Sequence, residues 1–269
     1  MDVIINQSLA TIPEQVETIP SYQKVELNLL ASCGYNMDQP PLADVYRSIH
    51  DLQGDWILLS PIYWEASHND ALIVSAEDGL PCSEEEFQQL FQWYSDFLAE
   101  ESNTLYFHNP VTWLLNVNNK PPLYSKPLYQ MLHQSMMPEL SKLDTTMYWQ
   151  KFFTECQMFF ASTVNKTLIN GVWFWGNGKL NAKLNLPICA DAELFSLARA
   201  VSKNVSLYDP SVSLDKFRVL LLTQIDRITQ THKDELSKMP ISWYWNNSAY
   251  KNKSSNWFSR LWRSWTHAY

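Results

Sequence analysis

Apolar residues along this chain fall into short runs separated by polar and proline-rich breaks, and the spacing inside each run predicts its element. From Met1 to about Pro20 polar and apolar types mix without a sustained period. Only Val3 to Ile5 reads as a short strand there, so residues 1–20 are expected to form an arm. Tyr22 to Leu30 and Pro41 to Leu52 read as short helices. Proline suits the first turn of the second, where its missing N–H costs nothing, and Gly54 ends it. Asp55 to Glu65 and Ala71 to Ser75 are rich in β-branched and aromatic residues at strand length. The turn formers Ser67, His68, Asn69 and Asp70 between them predict an antiparallel hairpin.

The clearest helix follows. Ser83 and Glu86 form a capping box, and Phe87, Leu90, Phe91, Tyr94 and Leu98 fall on one helical face. Asn103 to Phe107 and Val111 to Val117 read as a strand pair split at Asn109-Pro110. The proline-rich stretch Asn118 to Pro127 reads as a loop. Beyond it, Leu128 to Met137 and Asp144 to Thr163 read as helices, Val172 to Trp175 and Leu186 to Cys189 as strands, and Asp191 as the cap of a helix reaching Ala200. Lys216 to Lys238 fits either period: Val219 to Leu222 suits a buried strand, whereas Phe217, Leu220, Leu221, Gln224 and Ile228 suit a helix, which we favour. The expected class is therefore α/β or α+β, with mixed sheet layers covered by helices in two closely packed lobes. The lobes are expected at residues 21–120 (small sheet and helices) and 121–250 (α/β), with a C-terminal aromatic helix at 251–269.

Composition narrows the picture. With 269 residues, 46% hydrophobic and 18% charged, the chain can bury a substantial core. A formal charge of -8 excludes a globally basic nucleic-acid binder, because phosphate neutralisation needs clustered Lys and Arg. No run approaches the ~20 apolar residues that span a bilayer, which places the protein in the cytoplasm by default. Cys33, Cys82, Cys156 and Cys189 form no C-x-x-C pair, so four buried free thiols are expected rather than a zinc site or disulfide framework.

The segment NGVWFWGNG, Asn170 to Gly178, holds three of the six glycines. As a phosphate loop it fails. Gly171 and Gly176 have Walker spacing, but Asn177 and Gly178 stand where lysine and a hydroxyl are needed. The favoured reading is a structural corner: Trp173 and Trp175 on one face of a strand, Phe174 on the other, and glycines permitting the turn. A ligand pocket made by Asn170, Gly171, Trp173, Trp175, Gly176 and Gly178 is the functional alternative. Glu155 joins that alternative, since burial in an otherwise apolar helix would raise its pKa and prepare a general acid. Its plainer role is a structural carboxylate. His68, Asp70 and Glu65 at the hairpin tip read as a solvated turn before an acid/base or metal site. No nucleophile elbow, H-E-x-x-H or R-H-G motif occurs, and Asp78-Gly79 has no second cluster of Asp and His beside it. No catalytic residue, metal site or cofactor is therefore assigned.

From Ser242 to Tyr269 there is no acidic residue, while Lys251, Lys253, Arg260 and Arg263 alternate with five tryptophans. Trp257, Phe258, Leu261, Trp262 and Trp265 share one helical stripe. We expect Trp257, Arg260, Trp262 and Trp265 to contact a protein partner. Packing on the protein's own body and contact with a membrane surface stay open.

The segments DWILLSPIYWEA (55–66), FFTECQMFF (152–160) and VNKTLINGVWFWGNG (164–178), followed by a tryptophan-rich end, resemble the proteobacterial RpfE-type regulators. Ser60-Pro61, Glu155 to Met158 and Ile169 to Gly178 carry that resemblance, which covers about Asp55 to Arg263. Asn177 replaces the middle glycine of the family's trio, and Thr163 stands where the family tends to have histidine. Such proteins are labelled cofactor-independent phosphoglycerate mutase-like, so the resemblance implies phosphotransfer as the alternative activity. The chain is also similar in overall flavour to accessory subunits of the Legionella Dot/Icm type IV coupling complex. That likeness implies a bacterial cytoplasmic scaffold with protein partners, associated with the inner membrane through a complex, and leaves a homodimer open. No nucleic acid is expected.

Overall fold

Val3, Ile4 and Ile5, placed in an arm by their sequence context, are fully buried in the centre of a sheet. The computed structural model describes residues 1–14, 16–68, 70–162, 165–180 and 182–252. The chain divides into two compact units, one formed by Met1–Tyr35 with the chain from Leu180 onward, the other by Asn36–Lys179. The consecutive lobes expected from sequence are thus replaced by a unit inserted into another, which no local pattern announces.

The first unit opens with β1 (Asp2–Ile5), β2 (Glu17–Ile19) and α1 (Val25–Ser32). The inserted unit carries α2 (Leu42–Ile49), β3 (Trp56–Ala66), β4 (Ala71–Ala76), α3 (Glu84–Glu100), β5 (Leu105–Asn109), β6 (Thr112–Asn116), α4 (Leu128–Met131), α5 (Met137–Leu140), α6 (Tyr148–Phe160) and β7 (Gly171–Trp175). The chain then returns with β8 (Ile188–Ala190), α7 (Phe195–Val201), β9 (Val205–Leu207), β10 (Val219–Leu222), α8 (Gln230–Leu236), β11 (Ser242–Tyr244) and β12 (Ala249–Lys251).

In the first unit the strand order is β2-β12-β11-β1-β10-β8-β9. The five strands from β11 to β9 are parallel, with Ile4 opposite both Leu221 and Tyr244. Strands β12 and β2 add an antiparallel margin. Strands buried on both faces read as continuous apolar runs. That is why Val219–Leu222, all fully buried, is a strand and not the helix favoured from its period. The helix of that region starts later, at Gln230, capped by the Thr229 hydroxyl.

In the second unit β3 is the spine. It pairs antiparallel with β4, β6 and β7, aligning Leu59 with both Trp113 and Phe174. The hairpin β3–β4 and the Ser83–Glu86 capping box of α3 form as their residues predict. The helix expected over Leu128 to Met137 stops after one turn. Residues 132–136 instead run along β4, with Met136 N–H donating to Ala71 O (2.8 Å). α6 is shorter than its pattern, because Asp144 acts from the preceding loop: its carboxylate accepts from the N–H groups of Tyr148 (3.2 Å) and Trp149 (2.7 Å). These are among the first amides of the helix, which otherwise lack partners.

Candidate functional site

In a parallel α/β sheet, ligands gather outside the carboxyl ends of adjacent strands whose outgoing connections diverge. β8 and β10 are such a pair: β8 leads through α7 outward to β9, and β10 leads through α8 past β1 to β11. Asp191 follows β8 directly and Thr223 follows β10. Rather than facing an open crevice, the two close on each other. Asp191 Oδ2 accepts from Thr223 N–H (2.6 Å) and Oγ1–H (2.7 Å), and Oδ1 accepts from Leu194 N–H (3.2 Å). Arg227 lies 3.4 Å from the same carboxylate and pairs in a fork with Glu193 at 2.7 and 2.6 Å. That fork holds the Glu193 carboxyl below the usual carboxylate range.

The neighbouring strand ends carry amides. Asn246 Nδ2 donates to Asn6 Oδ1 (3.1 Å), Gln7 Oε1 accepts from Ile225 N–H (3.0 Å), and Asn247 exchanges two bonds with the Leu9 backbone. Amides and hydroxyls bonded to one another, to backbone and to Asp191 are weak ligands for a divalent cation, which favours carboxylate and imidazole. Among the described residues no group of three or more His, Cys, Asp or Glu is placed to hold a metal. All four cysteines are free. Burial pushes the Cys33 and Cys156 thiols up to about 12 and Cys189 to about 11, and it raises Cys82. They stay protonated and poorly nucleophilic at neutral pH. Cys33 and Cys82 are only half-buried, unlike the expected set of four buried thiols.

The Asn170–Gly178 segment forms a joint, and Trp173 and Trp175 are 0% and 1% exposed. Both indoles are anchored, Trp173 Nε1–H to Lys126 O (2.9 Å) and Trp175 Nε1–H to Ser60 Oγ (2.9 Å). Phe174 packs against Phe152 and Trp149, with ring centres 5.5 and 5.7 Å apart. Asn170 clasps β3 through bonds with the Trp64 N–H and carbonyl. Gly176 sits at φ +72°, in the left-handed region that glycine tolerates. At Gly178 any side chain would collide with the Gln39 carbonyl. Glu155 departs from expectation: it lies exposed on the solvent face of α6 and is not buried in an apolar surround. The hairpin-tip carboxylates do not converge either, because Asp70 is bonded to Ser135 (2.6 Å) and Ala71 N–H (2.7 Å) while Glu65 accepts from Tyr63 (2.7 Å). Trp257, Arg260, Trp262 and Trp265 lie outside the described residues.

Two concave surfaces belong to the second unit. A groove of about 530 Å³ runs between α5, α6 and the tip of the β3–β4 hairpin. Trp64, Met136, Met137, Leu140 and Phe153 make it apolar, with Gln150, Thr154 and Gln157 along its side. A smaller cleft of about 330 Å³ lies beside the joint, where Trp56, Lys120, Tyr124, Asn177 and Lys179 meet. Sequence reading missed both, since each joins segments separated by tens of residues. It also missed the pair His50–His108, whose rings share a hydrogen bond of 2.8 Å between Nε2 and Nδ1, with Tyr106 3.1 Å from His50 Nδ1. Burial lowers the His50 pKa.

No family model matches the chain, and no curated protein matches it significantly. Among solved structures it is similar to the cofactor-independent phosphoglycerate mutase from Thermoplasma acidophilum DSM 1728, at 13% identity over 95% of this chain and 90% of that one, with a TM-score of 0.39. A likeness at that level assigns neither residues nor chemistry. The two sheets with their covering helices are of the expected α/β class. No helix among the described residues is long and apolar enough to cross a membrane.

Proposed function

We propose that this protein is a non-catalytic docking subunit of a bacterial assembly, holding a partner protein through exposed apolar and aromatic groups. The observation that carries the reading is the groove between α5, α6 and the hairpin tip. Met137, 54% exposed, stands at its edge and Trp64 in its wall. Among the described residues lining it, the only ionisable side chains are His68 and an Asp70 already bonded within the protein. A solvent-open apolar surface of this kind suits an apolar segment of a partner, and methionine adapts to irregular contacts. The staple between Asp191 and Thr223 supports the same reading, because it spends the polar groups at the strand ends on the fold itself. The resemblance to coupling-complex accessory subunits suggests the class of assembly, and the basic, tryptophan-rich residues 254–269 are proposed as a second contact.

The test compares the full chain, Met137→Glu and a chain ending at Asn252, each expressed in the native host and purified under mild conditions. We expect one stoichiometric partner with the full chain and its loss with either variant, at unchanged thermal midpoint. Retention by both variants would overturn the proposal. The rival activity, mutase-like phosphotransfer, is tested on the same protein with 2- and 3-phosphoglycerate and manganese or magnesium. Isomerisation at an enzymatic rate would replace docking as the primary function.

A further inference from the structure

The cleft beside the joint holds a charge without an answer. Lys120 Nζ–H donates to Asn103 Oδ1 and to Tyr148 Oη (2.9 Å), and it stands 5.4 Å from the centre of the Tyr148 ring. Both acceptors are neutral, and among the described residues Lys120 has no carboxylate within ion-pair distance. The structural role of these bonds is plain: they tie the loop to the end of α3 and the start of α6. That tie leaves a half-buried ammonium in need of an anion.

Three further features of the cleft agree. Lys179, on its rim, is paired with Asp55 (2.6 Å), so two ammonium groups meet one carboxylate in a protein of net charge -8. The walls include the apolar and aromatic residues Trp56, Pro121, Pro122 and Tyr124, the last 56% exposed. Asn177 Oδ1 is covered and meets no donor, although its amide nitrogen donates to Leu123 O (2.6 Å). An unsatisfied buried acceptor is costly, and a ligand donor that reached it would recover that cost.

We propose that this cleft is a binding site for a small aromatic carboxylate, its acid group on Lys120, its ring between the aromatic and proline walls, and a ring O–H or N–H toward Asn177. The volume suits a single ring with its substituents, near the lower limit of small-molecule pockets. The site is independent of the docking groove, and its test does not depend on any partner.

Calorimetric titration of the full chain with 4-hydroxybenzoate, benzoate, 4-hydroxybenzamide and inorganic phosphate decides the matter. We expect saturable binding of 4-hydroxybenzoate, about tenfold tighter than its neutral amide, since a charge-assisted bond is lost in the latter. Benzoate, which lacks the ring hydroxyl, should bind about threefold more weakly, and phosphate should not compete. Lys120→Met should remove the preference for acid over amide, and Lys120→Arg should keep it. Tyr124→Ala, at an exposed position, should weaken binding with no change in thermal midpoint, which keeps the test valid if Lys120→Met folds poorly. Absence of saturable heat, equal affinity for acid and amide, or phosphate binding as tightly as 4-hydroxybenzoate would each overturn the proposal.

Discussion

Asp191 in the first unit and Lys120 in the second are both charges drawn into the protein, and their surroundings could hardly differ more. Each oxygen of Asp191 receives a backbone N–H, one also takes a hydroxyl, and an arginine stands at 3.4 Å. Lys120 has two neutral oxygens and an aromatic face. Fixed dipoles and a counter-charge absorb the field of the first, so little is left for a ligand. Neutral acceptors hold the second in place without cancelling its charge. The polar groups of Asp191 and Thr223 at the strand ends are therefore spent on the fold, while the proposed attraction for an outside group lies in a cleft no motif announces.

The comparison is most easily broken at Asp191. Asp191→Ala strands the N–H groups of Thr223 and Leu194 and the Thr223 hydroxyl, so we expect a loss of about 3 kcal/mol of stability. Urea unfolding of the variant against the parent measures it. A residue kept for catalysis would show no loss or a gain on substitution, and that outcome would return the strand ends to candidacy. A smaller effect is expected at Asp144. Burial raises its pKa, but hydrogen bonds from the Thr146 hydroxyl and the N–H groups of Trp149, Thr146 and Tyr148 outweigh burial and hold it below the ordinary value. Its stabilisation is therefore fully present above the unfolded carboxylate pKa of about 4 and is lost as the pH falls through the folded value. Asp144→Ala should cost about 1–2 kcal/mol at pH 7, with the gap between variant and parent closing below pH 4. A gap that stayed constant with pH would mean the carboxylate is not the cap of α6.

What the sequence revealed follows from the range of the interactions. The Ser83–Glu86 box, the β3–β4 hairpin and the alternation of Trp173, Phe174 and Trp175 are decided within a few residues, and each formed as read. Val3–Ile5 reads as a strand, but its place at the centre of a sheet was hidden because its partners, Leu220–Leu222 and Trp243–Tyr244, lie more than 200 residues away. A three-residue apolar run takes its meaning from such neighbours. Val219–Leu222 misled for the same reason: a strand covered on both faces has no period of two to detect. Asp191 reads as a helix cap in the sequence, but α7 begins only at Phe195, after Leu194, and Asp191 instead accepts from Leu194 N–H in the preceding turn; its bond to Thr223 needed the sheet order. Lys120 gave no signal, since what sets it apart, two neutral acceptors and no carboxylate within ion-pair distance among the described residues, depends on the fold.

The finest test of the comparison uses the other lysine of the cleft. Lys179 and Asp55 are paired at 2.6 Å, yet their side chains are 53% and 62% exposed. Water and salt screen such pairs, so Lys179→Ala should change stability by less than about 0.5 kcal/mol, and by less still at 0.5 M salt. The hydrogen bond and charge of Lys179 hold the Asp55 carboxyl below its ordinary value. That small contribution is present above pH ~4 and fades as the pH falls. In Lys179→Ala the freed Asp55 carboxylate adds a negative charge at the cleft, so affinity for 4-hydroxybenzoate should drop about twofold, and most of the drop should vanish with salt. Lys120 should behave in the opposite way, with little salt dependence, because its ammonium is half-buried and screened less. If salt erased the effect of Lys120→Met as readily as that of Lys179→Ala, both lysines would be ordinary surface charges, and the distinction between an answered and an unanswered charge would lose its basis in this cleft.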